Sequence, residues 1–488
     1  MEPTNATLQP ASNATGVLQT NIPQRLDRLP WSRFHLLLVI ALGITWILDG
    51  LEVTIVGSIG PILQSPETLR LTSAQLGAAA SFYVVGAVAG ALLSGWITDR
   101  QGRRFVFYVT LVTYLAGVLL SSLSWNFVSF ACFRALTGMG IGGEYAAVNS
   151  AIDELIPAKY RGRVDLIVNG SFWLGAAAGA AASLWLLQPG LLPVNIGWRL
   201  GFAVGGVLGL SILFLRRFVP ESPRWLVTHC RAEEAERTTR EVEAHVSDTG
   251  GGELPPAEGS LEVHPHRVFG LRLIFHSMLR EHRNRSVLVL ALMVAQAFLF
   301  NAVFFTYALV LTHFYHVEQT RVGLYLVPLT LGNLAGPLVL GHLFDTVGRK
   351  KMIAGTFGIS ALLLLVTAAA FGTGMFSAFT QNMAWIVIFF FASAAASSAY
   401  LTASEIFPLE TRALAISVFY ALGTAIGGSA APALFGWLIE SGSRWSLAAG
   451  YALAGVLLAL AAVMEVRFGV DAEQKSLESI ASPLSSRG

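Results

Sequence analysis

The sequence has little charge and almost no cysteine. Charged residues make up 13% of the 488 residues, and the two cysteines, Cys132 and Cys230, give neither a disulfide framework nor the spacing of a metal site. No nucleotide-binding loop of the G-x-x-x-x-G-K-[ST] type is present, so ATP is not the expected energy source. A net charge of +2 gives no reason to expect a nucleic-acid partner. We therefore expect no metal, no cofactor and no enzyme activity.

Apolar residues dominate instead. They account for 54% of the chain, which also contains 48 glycines, and the mean hydropathy is +0.61. These values are typical of a polytopic membrane protein. Twelve apolar runs are long enough to cross about 30 Å of hydrocarbon. They lie near residues 35–59, 76–98, 105–124, 127–152, 164–188, 198–219, 286–312, 322–344, 351–373, 382–404, 413–438 and 445–467. The sequence predicts an all-α polytopic membrane protein with twelve transmembrane helices.

A long polar insertion separates the first six runs from the second six. The predicted organisation is an N-terminal tail at 1–34, a six-helix bundle at 35–219, a loop with short helices at 220–285, a second six-helix bundle at 286–467 and a C-terminal tail at 468–488.

The positions of the basic residues predict the orientation. Of the 32 Lys and Arg residues, only Arg70, Arg199, Arg321 and Arg444 fall on the predicted outer loops, and Arg134 lies within a run. Cytoplasmic loops carry an excess of Lys and Arg. We therefore expect a multi-pass protein of the cell (inner or plasma) membrane, with both termini in the cytoplasm.

Two motifs occur once in each half of the chain. GWITDRQGRR at 95–104 follows the second run, and GHLFDTVGRK at 341–350 follows the eighth with the same internal spacing. An E-x-x-P-x-x-x-R segment begins at Glu154 after the fourth run and again at Glu405 after the tenth. Such self-similarity indicates two related six-helix halves.

Together with PESPRWL at 220–226, these motifs resemble those of the major facilitator superfamily, in its sugar-porter, synaptic-vesicle-glycoprotein-like and organic-ion transporter groups. The resemblance covers residues 35–467. It implies two pseudo-symmetric six-helix bundles around a central cavity that opens alternately to each side of the membrane. It also implies that one chain can act as a monomer.

The repeated loops predict a cytoplasmic gate. A carboxylate near a helix end can accept hydrogen bonds from Arg and from a neighbouring helix N-terminus, and such contacts exist in only one arrangement of the bundles. Simple anchoring at the membrane surface is the alternative for the basic residues, but it leaves the fixed carboxylates unexplained. The predicted gate residues are Asp99, Arg103, Glu154, Arg161, Glu221, Arg224, Asp345, Arg349, Glu405 and Arg412.

Four charged residues lie inside the first half's apolar runs, where ionised groups are costly and point to function. Asp49 and Glu52 share one face of the first run, WILDGLEVT, and a rise of 1.5 Å per residue puts Arg134 at their level. The resemblance to proton-driven sugar porters implies that Asp49 accepts the proton and that Arg134 is its partner. A static ion pair is the alternative. Glu52 is a second proton site or a substrate contact, and Glu144 is a packing carboxylate or a proton relay.

The substrate site is predicted from polar and aromatic residues. The segment containing Gln296 and Asn301 resembles the sugar porters' Q-Q-x-x-G-I-N-A-V-x-Y-Y, but the first Gln is Ala295 here, and the G-P-x-P-W of the tenth helix is replaced by ASSAY at 396–400. These losses argue against a hexose, while aromatic walls suit a flat or compact organic molecule. The predicted substrate contacts are Trp46, Asn169, Trp173, Gln296, Asn301, Phe305, Tyr307 and Tyr400.

The predicted function is proton-coupled symport of a small organic solute, either an organic acid or ion or a sugar-like molecule. The D-G-x-E pattern at 49–52 also resembles the aromatic-acid:proton symporters, with Glu in place of their Asp. A facilitative uniporter, a drug/proton antiporter and a receptor-like relative that no longer transports are the alternatives. The expected partners are the solute, protons and the lipid bilayer.

Overall fold

The computed structural model describes residues 18–186, 193–216, 218–250, 254–257, 259–263, 276–304, 306–318 and 321–484. Within these ranges, eleven helices are long and apolar enough to cross a membrane. Phe127–Leu155 is equally long, with 29 residues, but Arg134 and Glu144 make it less apolar than the others. Its length and its buried position among its neighbours make it the twelfth spanning helix.

The twelve spans form two halves, numbered here in chain order. Spans 1–6 are Arg33–Leu63, Ser73–Gln101, Arg103–Ser122, Phe127–Leu155, the pair Arg161–Gly170 and Phe172–Leu186, and Val194–Arg216. Span 7 comprises Arg283–Leu299, Phe300–Phe304 and Tyr307–Tyr315, and spans 8–10 are Val322–Thr346, Arg349–Gly372 and Ala378–Glu405. Span 11 comprises Leu409–Thr411, Arg412–Gly423, Thr424–Gly428 and Ser429–Glu440, and span 12 is Arg444–Phe468.

The repeated motif turns the chain sharply between spans 2 and 3 and between spans 8 and 9. Gly102 has a φ of +95° and Gly348 a φ of +118°, a region that residues with a Cβ rarely adopt. A Cβ on Gly102 would also lie 2.2 Å from a carboxylate oxygen of Glu221. Gly102 alone therefore joins two antiparallel spans, and Val347 with Gly348 does the same in the second half.

Small residues bring spans 2 and 4 into close contact. A Cβ on Gly86 would lie 2.0 Å from the carbonyl oxygen of Ala135, and one on Gly138 would lie 2.0 Å from that of Tyr83. Without side chains at these points the two backbones touch, as is common for helices packed in membranes. This contact places Tyr83 beside Arg134.

Two spans are interrupted by a π-helical turn near the centre of the bundle. The turns are Phe300–Phe304 in span 7 and Thr424–Gly428 in span 11. π-Helical turns inside α-helices occur frequently at functional sites. Both turns belong to the second half, and they carry Asn301 and Thr424.

Short elements cover one end of the bundle, which we call the terminal face because the helices Ile22–Asp27 and Leu477–Ile480 lie there. Strand Leu18–Thr20 pairs antiparallel with Leu261–Val263, and the helices Pro223–Thr228 and Ala232–Gly250 pack beside them. The segment predicted as an N-terminal tail is therefore folded from Leu18 onward, because its apolar residues are buried against those of the central loop.

An ion-pair network joins the N-terminal helix to the helix Ala232–Gly250. Arg25 binds Glu236 at 2.7 Å and Glu243 at 2.5 Å, and Arg28 binds Glu243 at 2.6 Å. Burial alone would raise the pKa of Glu243, but hydrogen bonds from Arg25 and Arg28 outweigh it and hold the pKa below its usual range.

Candidate functional site

Two aspartates form pseudo-symmetric hydrogen bonds between the two halves. Asp99 at the end of span 2 accepts a hydrogen bond from the backbone N–H of Leu414, at the start of span 11, at 3.0 Å. Asp345 at the end of span 8 accepts from the N–H groups of Gly162 and Arg163, at the start of span 5, at 3.0 and 2.9 Å. Each carboxylate thus binds the positive N-terminal end of a helix in the other half.

Two buried glutamates add ion pairs between the halves. Glu154 binds Arg103 of its own half at 2.6 Å and Arg412 of the other half at 3.5 Å. Glu405 repeats the pattern, with Arg349 of its own half at 2.9 Å and Arg161 of the other half at 3.8 Å. We call the eight side chains of these hydrogen bonds and ion pairs the ionic layer: Asp99, Arg103, Glu154, Arg161, Asp345, Arg349, Glu405 and Arg412.

The remaining two predicted gate residues support the ionic layer from the terminal face. Glu221 accepts from the N–H groups of Arg103 and Arg104 at 2.9 and 3.2 Å. Arg224 binds Asp27 at 3.0 Å and also pairs with Glu478, which follows span 12. Burial alone would lower the pKa of Arg224, but the two carboxylates outweigh it and raise that pKa. Arg224 therefore ties the chain segments before span 1 and after span 12 together.

We expect Asp345→Asn to weaken closure of the terminal face. The substitution removes the charge that strengthens two backbone hydrogen bonds across the halves, each worth about 1.5–3 kcal/mol when the acceptor is ionised. Loss of about 1.4–2.8 kcal/mol would raise the open-to-closed ratio roughly 10- to 100-fold. Labelling of a cysteine introduced into the ionic layer with a water-soluble maleimide, after removal of Cys132 and Cys230, measures that ratio.

Asp471→Asn is the matched control for this experiment, because Asp471 is an exposed acid beyond span 12 and outside the ionic layer. Equal labelling rates for both variants and the parent would show that Asp345 does not hold the halves together.

Asp49 is buried in the first half and is held by two tyrosine hydroxyls. Tyr83 of span 2 donates to its Oδ1 at 3.2 Å, and Tyr145 of span 4 donates to its Oδ2 at 2.9 Å. Only 3% of the residue is exposed. A carboxylate in this setting can take up a proton without breaking an ion pair.

Arg134 pairs with Glu52 and not with Asp49, which differs from the predicted pairing. The guanidinium forms a buried ion pair with Glu52, and it also lies over the Tyr83 ring, 4.5 Å from the ring centre. Asp49 and Glu52 are three residues apart, so their side chains point about 60° apart around the helix axis. Packing of span 1 turns Glu52 toward Arg134 and Asp49 toward the tyrosines.

Glu144 lies deeper in span 4 and is also buried. Its Oε1 is 3.5 Å from the hydroxyl of Thr110 on span 3. Its neighbour Gly143 has no room for a side chain, since a Cβ there would lie 2.3 Å from the hydroxyl of Ser94. Glu144 therefore sits at a tight contact of spans 2, 3 and 4, and it immediately precedes Tyr145, the span 4 partner of Asp49.

Four aromatic rings, contributed by both halves, meet near Asp49. The ring centres of Trp46 and Tyr145 are 4.4 Å apart, and those of Tyr145 and Tyr420 are 4.5 Å apart in a stacked arrangement. Tyr400 lies 5.9 Å from Tyr145 and 6.0 Å from Trp46. We call these four rings the aromatic cluster. Gln296 of span 7 lies near the Tyr400 hydroxyl and adds an amide to the edge of the cluster.

Trp46, Tyr400 and Gln296 of this region are among the predicted substrate contacts, whereas Tyr145 and Tyr420 are not. Both had a signal in the sequence. Tyr145 follows Arg134 by eleven residues, which is close to three full helical turns, so both lie on one face of span 4. Tyr420 stands eight residues after Arg412, as Asn169 stands eight residues after Arg161, and so occupies the repeat-equivalent position.

Trp173 and Asn301 line the boundary between the halves near span 7. The Trp173 ring lies 5.4 Å from that of Phe300 and 5.0 Å from that of Phe304, which belong to the π-helical turn. Asn301 is half-buried in the same turn and donates to the carbonyl of Ala297 at 2.8 Å, which leaves its amide oxygen for another partner.

Two other predicted substrate contacts are hydrogen-bonded to partners within their own half. Asn169 is buried and donates to Asn149 at 3.0 Å. Tyr307 is fully buried among the apolar residues of the second half and donates to Asn382 of span 10 at 3.0 Å. Tyr307 therefore packs inside the second half in this conformation, and its contact with substrate stays a prediction. Phe305 lies outside the described residues.

A cavity of about 530 Å³ lies elsewhere, between span 3 and the helix Ala232–Gly250. Its lining includes Arg104, Arg237 and Glu241 and none of the residues of the aromatic cluster. It is therefore separate from the site around Asp49.

Comparisons with known proteins identify the family. The family model described as "Sugar (and other) transporter" matches residues 42–482. The niacin transporter NiaP of Acinetobacter baylyi is 27% identical over 466 residues, which cover 94% of this chain and 99% of NiaP. The 4-hydroxybenzoate transporter PcaK of the same organism is 30% identical over 206 residues, which cover 41% of this chain and 43% of PcaK.

Among solved structures, the proton:xylose symporter XylE of the major facilitator superfamily superposes with a TM-score of 0.75 at 20% identity, over 92% of this chain and 98% of XylE. This likeness confirms the predicted fold of twelve transmembrane helices in two six-helix halves. The family match and the relatives confirm that the protein is a transporter and not an enzyme. The fold is thus that of a solved member of the major facilitator superfamily, and the chain is a multi-pass membrane protein that belongs to the sugar (and other) transporter family.

Proposed function

We propose that the protein is a proton-coupled symporter for a small organic acid with a flat ring. The observation that carries the proposal is the buried Asp49 carboxylate, whose hydrogen-bond partners are the hydroxyls of Tyr83 and Tyr145. Arg134 is already neutralised by Glu52, so within the described part of the chain no cation pairs with the charge of an ionised Asp49. An uncompensated charge at this depth is costly, and protonation removes that cost.

A protonated Asp49 would also favour an acidic substrate. Once it carries a proton, it donates a hydrogen bond that an ionised carboxylate on the substrate can accept, whereas an ionised Asp49 would repel that carboxylate. Proton binding would therefore precede binding of the acid. One proton and one monocarboxylate would cross together without net charge.

The aromatic cluster supports a flat substrate. Its rings pack on one another at 4.4–6.0 Å, so a planar molecule can replace ring–ring contact with its own faces. Gln296 adds an amide beside Tyr400, and Asn301 adds a second amide further along span 7. The relatives named for niacin and 4-hydroxybenzoate are consistent with this class, because both compounds carry one carboxyl group on a flat ring.

We further propose that the terminal face is the cytoplasmic side and that the ionic layer is the inner gate. The charge bias of the loops supports this orientation. The two Asp–helix contacts and the two Glu–Arg pairs between the halves are all formed, so this gate is closed in the described conformation. Opening would require the two Asp–helix contacts and the two Glu–Arg contacts to separate together.

Uptake into liposomes tests the proposal. The purified protein, reconstituted with an alkaline interior, is expected to accumulate labelled nicotinate or 4-hydroxybenzoate at least tenfold above its external concentration, and xylose much less. A protonophore should abolish the accumulation. Uptake that only equilibrates the solute would indicate a uniporter, and proton release from the lumen on adding solute would indicate an antiporter. Solute binding without any flux would indicate a receptor-like protein.

A further inference from the structure

Two buried aspartates lie beside the ionic layer without belonging to it. Asp153 immediately precedes Glu154 on span 4, and Asp165 follows Arg161 by one helical turn on span 5. Both have no exposed surface, with a relative exposure of 0%. None of their four carboxylate oxygens has a hydrogen-bond partner among the residues that the structure describes. A buried carboxylate without a donor is costly when it is ionised, so these two positions require an explanation.

The two aspartates face each other across spans 4 and 5. The side chains of Asn149 and Asn169 are hydrogen-bonded at 3.0 Å, which fixes the register of these antiparallel spans. Asp153 follows Asn149 by four residues, so it lies one turn nearer the terminal face on the same side of span 4. Asp165 precedes Asn169 by four residues and has the same relation to it on span 5. We call Asp153 and Asp165 the aspartate pair.

The ionic layer has no spare cation for the aspartate pair. Its four arginines are matched by its four carboxylates, and Arg161 also binds Asp27 at 3.3 Å. Two more ionised carboxylates would therefore leave excess negative charge and would repel each other. One proton on the pair lowers that charge and supplies a donor to the second carboxylate. The charged groups of the ionic layer that act on the pair include Arg161, Arg349, Glu405 and Arg412.

The second half repeats the gate motif but has no aspartate pair. Through the repeat, Asp153 is equivalent to Ser404 and Asp165 to Ile416. The hydroxyl of Ser404 donates to the carbonyl of Leu401 at 2.9 Å and takes no part in the ionic layer. The second half therefore contributes its share of the gate without these acids, and they serve a purpose that is specific to the first half.

Separation of the halves would change the partners of Arg161. In the closed gate, Arg161 lies 3.8 Å from Glu405 of the other half, and this carboxylate would move away with the second half. Asp165 stands four residues from Arg161 on the same helix, a spacing at which an acid and an arginine pair. An ionised Asp165 can therefore replace Glu405, provided that the aspartate pair has given its proton to the water that enters from the terminal face.

We propose that the aspartate pair is a further proton-binding site, which holds one proton while the ionic layer is closed and releases it to the terminal side when the gate opens. This inference rests on the proposed role of the ionic layer as the inner gate. The proton returns from the same side when the gate closes, so it is not transported with the solute. Because the closed state binds the extra proton, acid on the terminal side keeps the gate closed and a higher pH favours opening.

The consequence is that uptake limits itself. Symport of a proton with an organic acid acidifies the compartment into which both are released. If that compartment lies on the terminal side, its acidification fills the aspartate pair and holds the ionic layer closed. The pair thus links the rate of gate opening to the amount of acid that has already entered.

Spin labels at Gln101 and Thr346 report the separation of the halves at the terminal face. Both residues are exposed, and they end spans 2 and 8. The exposed Cys132 and Cys230 are first replaced by serine. Pulsed electron paramagnetic resonance on the reconstituted full chain, with equal pH on both sides and no solute, then measures the open-to-closed ratio. All variants carry Asp49→Asn, which removes the contribution of the transported proton.

We expect the open-to-closed ratio of this Asp49→Asn parent to rise about fivefold or more from about pH 6 to about pH 8, since one proton can change it by up to about tenfold per pH unit. Asp153→Asn and Asp165→Asn each supply an amide that can donate to the remaining carboxylate, so the pair no longer needs a proton. Each substitution should reduce the change to about twofold or less. The two substitutions lie on different spans, which guards against a folding defect in one variant.

Glu465→Gln is the matched control. Glu465 is also a buried acid with one oxygen that lacks a hydrogen-bond partner in the described ranges, but it lies on span 12, which packs against span 9, and outside the ionic layer. This variant should keep the full response to pH. The inference fails if the response persists in Asp153→Asn or Asp165→Asn, if Glu465→Gln removes it equally, or if the Asp49→Asn parent shows no response. Proton-driven accumulation by the protein with Asp49 in place tests the proposed function separately from all of these outcomes.

Discussion

Replacing Asp49 with asparagine is expected to abolish accumulation of substrate against its concentration gradient. Each pH unit across the membrane is worth 1.36 kcal/mol per proton. At one proton per solute, a gradient of two pH units therefore supports roughly 100-fold accumulation by the parent. Asparagine cannot take up a proton, so the internal and external concentrations should become equal. The measurement is the steady-state ratio of labelled solute in liposomes whose membrane potential is clamped.

Two further measurements make this result specific to the proton. Exchange of internal for external solute needs no net proton movement, so Asp49→Asn should retain it, whereas a misfolded protein would lose both activities. Asp49→Glu keeps a carboxylate and should restore accumulation at a lower rate. Accumulation that survives in Asp49→Asn would place the transported proton on another carboxylate and contradict the proposed function.

The sequence was sufficient to predict the parts of the structure that the internal repeat encodes. Asp99 and Asp345 occupy equivalent positions in the repeat, and each contacts the first turn of a helix that follows the second repeated motif in the other half. Because the motif spacing sets which residue stands at a span end, the composition of the ionic layer follows from the pattern. The identity of its cross-half partners, Glu154 with Arg412 and Glu405 with Arg161, required the structure.

The pairing inside the membrane could not be predicted in the same way. The rise per residue gives the depth of Asp49, Glu52 and Arg134, but the rotation of span 1 decides which carboxylate meets the arginine. That rotation depends on packing, since a Cβ on Gly50 would lie 2.0 Å from the carbonyl oxygen of Phe172 on span 5. Contacts of this kind are invisible in a charge pattern.

The aromatic cluster shows a similar division. Trp46 and Tyr400 were predicted as aromatic residues that replace the lost polar contacts of a sugar site, whereas Tyr420 is one of many aromatic residues in the second half. The position of Tyr420 becomes informative only when span 11 is aligned with span 5 through the repeat, because Tyr420 is then equivalent to Asn169. Asn169 remains within its own half, however, and Tyr420 reaches across to Tyr145. Equivalent positions in the two halves thus have different partners.

Arg134→Met is expected to lower the free energy of unfolding by roughly 3–5 kcal/mol, because it leaves Glu52 buried without its counter-ion. The double variant Arg134→Met with Glu52→Gln should recover most of that loss, since both charges are then gone and what remains missing is the contact of the guanidinium with the Tyr83 and Phe202 rings. Unfolding by a denaturing detergent, followed by tryptophan fluorescence, measures these differences.

Transport by the double variant then decides what the pair does. A stable double variant that still accumulates substrate would make Glu52–Arg134 a packing contact that turns Asp49 toward its tyrosines. A stable double variant that binds no substrate would assign the pair to substrate recognition. If the single and double variants had equal free energies of unfolding, Arg134 would not be needed to compensate the charge of Glu52. That result would contradict the explanation that the Glu52–Arg134 ion pair leaves Asp49 with hydroxyl partners.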